Sequence, residues 1–200
     1  MKQLKNNVTG YILAGGKSSR MGEDKGLLML NNKPIVLYII EQMQFVLNNI
    51  IIVSDNREYE KYGLEVIPDT IKNCGPAGGI LAALKHSKTE LNFIISCDMP
   101  FINKEAISFL LQNTTGYPII LPVFKGNYEP LFGIYSKSCF EKWQELVHNN
   151  ENKLLNLANH FELNSIDVDE NSIFGKDFFM NINTKKDLEM ASKIIVENGN

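Results

Sequence analysis

The sequence predicts an α/β fold: a mainly parallel, mixed sheet flanked by helices. Two observations carry that expectation. Strand-like apolar runs alternate with runs of helical spacing along the 200 residues, the pattern of βαβ units. A glycine-rich loop follows the first of these strands, and Asp69 and Asp98 follow two later ones. Ligands of open α/β sheets collect outside the carboxyl ends of the strands.

The elements follow in order. Val8-Thr9-Gly10-Tyr11-Ile12-Leu13 reads as a buried first strand. From Pro34 to about Leu47, apolar residues at Ile35, Ile39, Ile40, Met43 and Leu47 have helical spacing, and Pro34 suits a first turn. Asn49 to Val53 is a continuous apolar strand, and Leu64 to Ile67 is a short one that ends at Pro68-Asp69. The turn-forming loop Asn73 to Gly79 opens a small-residue helix, Ile80 to Leu84. Asn92 to Ser96 is the next buried strand, and Asn103 can cap a helix beginning at Lys104.

The second half is more mixed. Ile119 to Val123 and Leu131 to Tyr135 read as strands, with Lys125-Gly126-Asn127 turning between them. Helices are expected over Phe140 to His148 and Lys153 to Asn159, and an edge strand over Ser165 to Val168. Phe178 to Ile182 reads as a further strand. Thr184 then caps a last helix with apolar positions Leu188, Ala191, Ile194 and Ile195. With no linker or repeat in view, residues 1–200 are expected to form one domain.

The composition narrows the class. Hydrophobic content of 44% and charged content of 22% are ordinary for a soluble globular chain. A net charge of -3 argues against general nucleic-acid affinity. The N-terminal stretch Met1 to Asn7 lacks the apolar core of a signal peptide, and no apolar run reaches membrane-spanning length. Cys74, Cys97 and Cys139 are odd in number and far apart, so a reducing cytoplasm is expected. His86, His148 and His160 show no zinc spacing with them.

Leu13 to Lys25, LAGGKSSRMGEDK, is the most specific segment. Glycines let backbone N–H groups approach an anion, and Lys17, Arg20 and Lys25 bring positive charge to the same loop. A bare Gly-Gly pair is only a turn signal. The whole string points to a nucleoside triphosphate. It is neither a P-loop nor a dinucleotide fingerprint, because Gly16 stands where the P-loop lysine would follow Gly10 and Gly15.

Asp69 and Asp98 each follow an apolar strand and sit in a loop that contains a proline. One such aspartate is commonly a turn or cap residue. Two of them with the glycine loop point to Mg²⁺, which binds one or two carboxylates together with substrate phosphates. If their strands are neighbours, both face the phosphate site.

These residues together resemble the molybdenum cofactor guanylyltransferases, the MobA family of nucleotidyltransferases. The likeness spans nearly the whole chain. It rests on the loop Leu13 to Lys25, on Leu28-x-Leu30-x-x-Lys33-Pro34, and on Asp69 with Gly75-Pro76 and Gly78-Gly79. Cys97-Asp98-Met99-Pro100, Glu129-Pro130-Leu131 and Asn181-Ile182-Asn183-Thr184 complete it.

The resemblance implies a Rossmann-like domain that transfers GMP from GTP to molybdopterin carrying molybdenum. By the same likeness, Leu13, Ala14, Gly15 and Gly16 would hold the nucleotide through their backbone. Lys25 and Arg20 would neutralise the triphosphate, Asp69 would position nucleotide or metal, and Asp98 would be the main magnesium ligand. Glu129, Asn181 and Asn183 would line the pterin side. Implied partners are GTP, Mo-molybdopterin, molybdopterin-handling proteins and molybdoenzyme chaperones, with no nucleic acid and no membrane.

The sequence departs from the family at two places, one of them the single residue Glu23 between Gly22 and Asp24 where some relatives have two. Where some relatives have a base-contacting asparagine this chain has Ser54, with Asn56 two residues on. A cytidylyltransferase, a sugar-phosphate nucleotidyltransferase and a regulatory nucleotide-binding module are the alternatives.

Overall fold

The computed structural model describes residues 7–15, 24–69, 71, 74–114 and 116–198. In chain order the first elements are β1 (Val8–Leu13), β2 (Met29–Leu30), β3 (Lys33–Pro34), α1 (Ile35–Gln44), β4 (Asn49–Val53) and β5 (Glu65–Ile67). Then come α2 (Pro76–His86), β6 (Leu91–Ser96), α3 (Lys104–Gln112), β7 (Ile119–Phe124), β8 (Asn127–Tyr128) and β9 (Phe132–Ser136). The chain finishes with α4 (Phe140–His148), α5 (Leu154–Ala158), β10 (Leu163–Val168) and α6 (Lys185–Asn198).

The main sheet runs β10-β7-β9-β6-β1-β4-β5, with β8 paired to β7. β4, β5 and β6 join the β1 region in parallel, and β10 pairs parallel with β7. β9 is antiparallel to both β6 and β7. The sheet is therefore mixed and mainly parallel, as the sequence predicts. Its central strands are largely apolar because both faces are covered, with Thr9 and Asn92 the buried polar residues of β1 and β6.

Side chains alternate between those faces. Val8 and Ile12 of β1 pack with Val36, Ile39, Ala106 and Leu110, under α1 and α3. Tyr11 and Leu13 pack on the other face with Ile80, Leu84 and Trp143, under α2 and α4. A smaller cluster of Leu28, Leu30, Ile35, Ile182 and Ala191 docks α6 against β2 and β3.

Three details differ from the sequence expectation. Phe178 to Ile182 is a turn segment, not a strand, with the Met180 N–H donating to the Asp177 carbonyl at 2.9 Å. Phe178 and Phe179 are apolar because both meet Phe132 edge-on, while Phe178 meets Phe174 edge-on and Phe179 stacks on it. A short apolar run signals burial, and here the burial belongs to a loop. α2 begins at Pro76, so Ala77, Gly78 and Gly79 are its first turn and not loop. Asn31 and Asn32, at φ 48° and 63°, turn β2 into β3. That two-residue loop with left-handed dihedrals is a type of hairpin asparagine favours, and the sequence reading passed over it.

Candidate active site

The carboxyl ends of β1 and β6 lie side by side, with Leu13 paired to Ser96. Beyond that register the Cys97 N–H donates to the Leu13 carbonyl at 3.1 Å, and the Ala14 N–H donates to the Val53 carbonyl at 2.9 Å. Those groups of Leu13 and Ala14 thus continue the sheet. Gly15 is the first exposed residue past it. Gly16 and Arg20 lie outside the described residues.

Lys25 and Asp98 meet here. The Lys25 Nζ donates to Asp98 Oδ2 at 3.1 Å and also to the Asn183 side-chain oxygen. The other Asp98 oxygen accepts from the Ser96 hydroxyl at 2.6 Å. Asp98 is 7% exposed, so its charge is shielded from water and answered by the lysine and the hydroxyl. The neighbouring Cys97 is buried in the core, and burial raises its thiol well above the usual range. That suits packing and not nucleophilic work.

Asn183 reaches this point because its loop is fastened at both ends. The Ile182 N–H donates to the Asp98 carbonyl at 2.9 Å. The Asn183 and Thr184 N–H groups donate to Asp187 Oδ2 at 3.0 and 2.8 Å, while the Asp187 N–H donates to the Thr184 hydroxyl oxygen at 3.2 Å. This reciprocal cap begins α6. Asp187 is its keystone, and the Thr184 hydroxyl lowers its carboxyl below the usual range.

Asp24 holds the other side of Lys25. Its Oδ1 accepts from the Gly26 N–H at 3.2 Å and from the Tyr59 hydroxyl, and its Oδ2 accepts from the Asn56 amide at 3.2 Å. Tyr59 is fully buried in a short 3₁₀ turn, Arg57–Tyr62. Asn56 also accepts from the Glu58 N–H at 3.0 Å, so both ends of its side chain are engaged. Neither Tyr59 nor the bonding of Asn56 to Asp24 was anticipated. Only the sequence string Asp24-Lys25 hinted that something specific stands before the lysine.

Asp69 sits apart from Asp98. Its strand β5 is separated from β6 by β4 and β1, so the two strands are not neighbours as supposed, although their carboxyl ends share one edge of the sheet. Asp69 Oδ1 accepts from the Ile71 N–H at 3.2 Å. Partial burial raises its carboxyl above the usual range, against the opposing pull of that N–H. It lies over the first turn of α2, where a Cβ on Gly78 would stand 2.9 Å from Asp69 Oδ1.

Glu129 borders a cleft of about 360 Å³ with Phe124, Lys125, Phe179, Met180 and Met190. Burial pushes its carboxyl up to about 7. Asn181 instead donates to the Phe179 carbonyl at 3.4 Å. The structure thus brings Lys25, Asp98 and Asn183 into contact, while Asp69 and Glu129 make their hydrogen bonds and contacts elsewhere.

A family model for the MobA-like NTP transferase domain matches residues 10–163. The chain belongs to that family. The MobA-like relatives include a protein of Carboxydothermus hydrogenoformans named probable molybdenum cofactor guanylyltransferase, 33% identical over 94% of this chain and 96% of that one. The molybdenum cofactor guanylyltransferase of Vibrio vulnificus is 34% identical over 96% of this chain and 98% of its own. The crystal structure of molybdopterin-guanine dinucleotide biosynthesis protein A from Archaeoglobus fulgidus superposes with a TM-score of 0.82 at 25% identity. It covers 94% of this chain and 99% of that one. Among the described residues no helix is long and apolar enough to cross a membrane.

Proposed function

We propose that this chain transfers GMP from GTP to the phosphate of molybdopterin carrying molybdenum, forming the guanine dinucleotide cofactor. The observation that carries the reading is the convergence of Lys25, Asp98 and Asn183 beside the end of β1. It stands in a chain whose full-length relatives bear the guanylyltransferase name.

An oxygen of the pterin phosphate attacks the α-phosphorus of GTP. The bond from that phosphorus to the bridging β-oxygen breaks, and pyrophosphate leaves with the electron pair. The nucleophile is already anionic, so no general base is needed. What the protein must supply is alignment and positive charge. On this reading Lys25 and Arg20 would carry that charge to the triphosphate, and the backbone of Leu13, Ala14, Gly15 and Gly16 would hold the nucleotide with groups other than the Leu13 carbonyl and Ala14 N–H, which are engaged in the sheet. Asp69, over the first turn of α2, positions the nucleotide. Glu129, Asn181 and Asn183 serve the pterin side, with Asn183 also bridging to Lys25.

The donor set fits Mg²⁺. Asp98 Oδ2 and Asn183 Oδ1 both turn toward one cationic group, the Lys25 ammonium. Among the described residues no group of three or more acidic, histidine or cysteine side chains forms a closed cage. Magnesium takes one or two carboxylates and completes its shell with phosphates and water, and Asp98 would hold it. When bound, the ion supplies charge neutralisation and orientation at the phosphates.

The cytoplasm is the expected setting, with molybdopterin-handling proteins and molybdoenzyme chaperones as partners. The test is pyrophosphate release with Mg²⁺ and Mo-molybdopterin, comparing GTP, CTP and ATP. Turnover confined to GTP supports the proposal. Turnover confined to CTP makes the chain a cytidylyltransferase, and binding without turnover makes it a regulatory module.

A further inference from the structure

We infer that Tyr59 is a positioning residue for Lys25, acting through Asp24. The inference rests on the transfer reaction proposed above, in which Lys25 meets the triphosphate.

Tyr59 lies 34 residues after Lys25 in sequence, yet its hydroxyl donates to Asp24 Oδ1. Asp24 caps the short turn Lys25–Leu27: its side chain accepts from the Gly26 N–H at 3.2 Å and its carbonyl from the Leu27 N–H at 3.0 Å. Lys25 is therefore suspended between a carboxylate with three donors and the two oxygens, on Asp98 and Asn183, that its ammonium meets. The three donors are the Tyr59 hydroxyl, the Asn56 amide and the Gly26 N–H, while the Leu27 N–H holds the Asp24 main-chain carbonyl.

The close approach is written into Gly26. A Cβ there would stand 2.4 Å from the Tyr59 hydroxyl oxygen and 3.3 Å from Cys97 Cβ, so the turn carrying Lys25 can lie flat on the phenol only without a side chain. Burial raises the phenol far above its usual range, so it remains a donor to Asp24 at any working pH. The ring itself is core, 0% exposed and packed in the cluster with Cys97 and Met99. Packing fills the space with the ring. The hydroxyl is the part that reaches Asp24.

This separates two roles that one substitution can resolve. Tyr59→Phe keeps the ring and removes only the donor. Competitive acetylation with acetic anhydride, read residue by residue by mass spectrometry, reports on Lys25 without requiring activity. Lys25 in Tyr59→Phe is expected to label about threefold faster than in the wild type, as the turn loosens, with Lys104 and Lys142 unchanged. In kinetics, kcat/KM for GTP is expected to fall about tenfold, with little further loss when Tyr59→Phe is added to Lys25→Arg.

Unchanged Lys25 labelling overturns the inference. So does wild-type kcat/KM in Tyr59→Phe, or a loss that multiplies fully with that of Lys25→Arg. If Tyr59→Phe fails to fold, Asp24→Asn takes its place with the same readouts and the same expected results. A wild-type protein inactive with every nucleotide defeats the proposed reaction instead, and the labelling still decides whether Tyr59 sets Lys25.

Discussion

Lys25 Nζ lies 3.1 Å from Asp98 Oδ2 across 73 residues of sequence. The lysine sits just past the glycine-rich loop that leaves β1, and the aspartate just past β6, its neighbour in the sheet. On the proposed reading, the lysine assigned to the triphosphate and the aspartate assigned to Mg²⁺ hold one another through this ion pair. Removing either should leave the fold and empty the chemistry.

Asp98→Ala is expected to reduce GMP transfer by at least about a thousandfold. Lys25 keeps Asn183 and is partly open to water, with its side chain 26% exposed, so the variant should fold. Pyrophosphate release alongside a circular-dichroism melt checks both halves. Near-normal turnover would remove Asp98 from the metal role.

Lys25→Ala is expected to lower kcat/KM for GTP about a hundredfold or more, as one positive charge leaves the triphosphate. Steady-state kinetics over a range of GTP concentrations is the measurement, and wild-type constants would reject the role.

Gly26→Ala should destabilise the protein, because its Cβ would press on the Tyr59 hydroxyl at 2.4 Å. The expected cost is about 1–3 kcal/mol, the range for overpacking. Adding Tyr59→Phe removes the atom struck and should return much of the loss. Urea denaturation of the two single variants and the double variant tests this, and equal losses with and without the hydroxyl would refute the contact.

Glu129 gives a pH signature. Its folded carboxyl titrates at about 7, raised by burial from the usual 4.5. The folded protein therefore holds this proton more tightly than the unfolded chain, and stability falls as pH rises from about 4.5 to about 7. The contribution is whole below the unfolded value and lost above the folded one. Glu129→Gln should match the wild type in Tm near pH 4 and exceed it near pH 8. A Tm difference that is constant across that range would contradict the assignment.

Much of this was legible in the chain. The alternation of apolar strands with helical runs specified a mainly parallel sheet, because a strand buried on both faces must be apolar throughout. The Asn103 and Thr184 caps were readable from single residues, since capping is local chemistry. Phe178 and Phe179 misled, because an apolar run reports burial but not whether a neighbouring strand is there to pair with. Asp69 and Asp98 were correctly set at strand ends, yet no local pattern says how many strands lie between them.

The sequence by itself determined most of the elements and the residue types that suit phosphate and magnesium. These depend on periodicity, turn chemistry and charge, which act over a few residues. Only the tertiary structure decided that Asn183 joins Lys25 and Asp98, and that Tyr59 and Asn56 grip Asp24. Those partners are brought together by strand order and by the docking of α6. The physical reason is that a hydrogen bond depends on distance and angle in space, and sequence separation fixes neither.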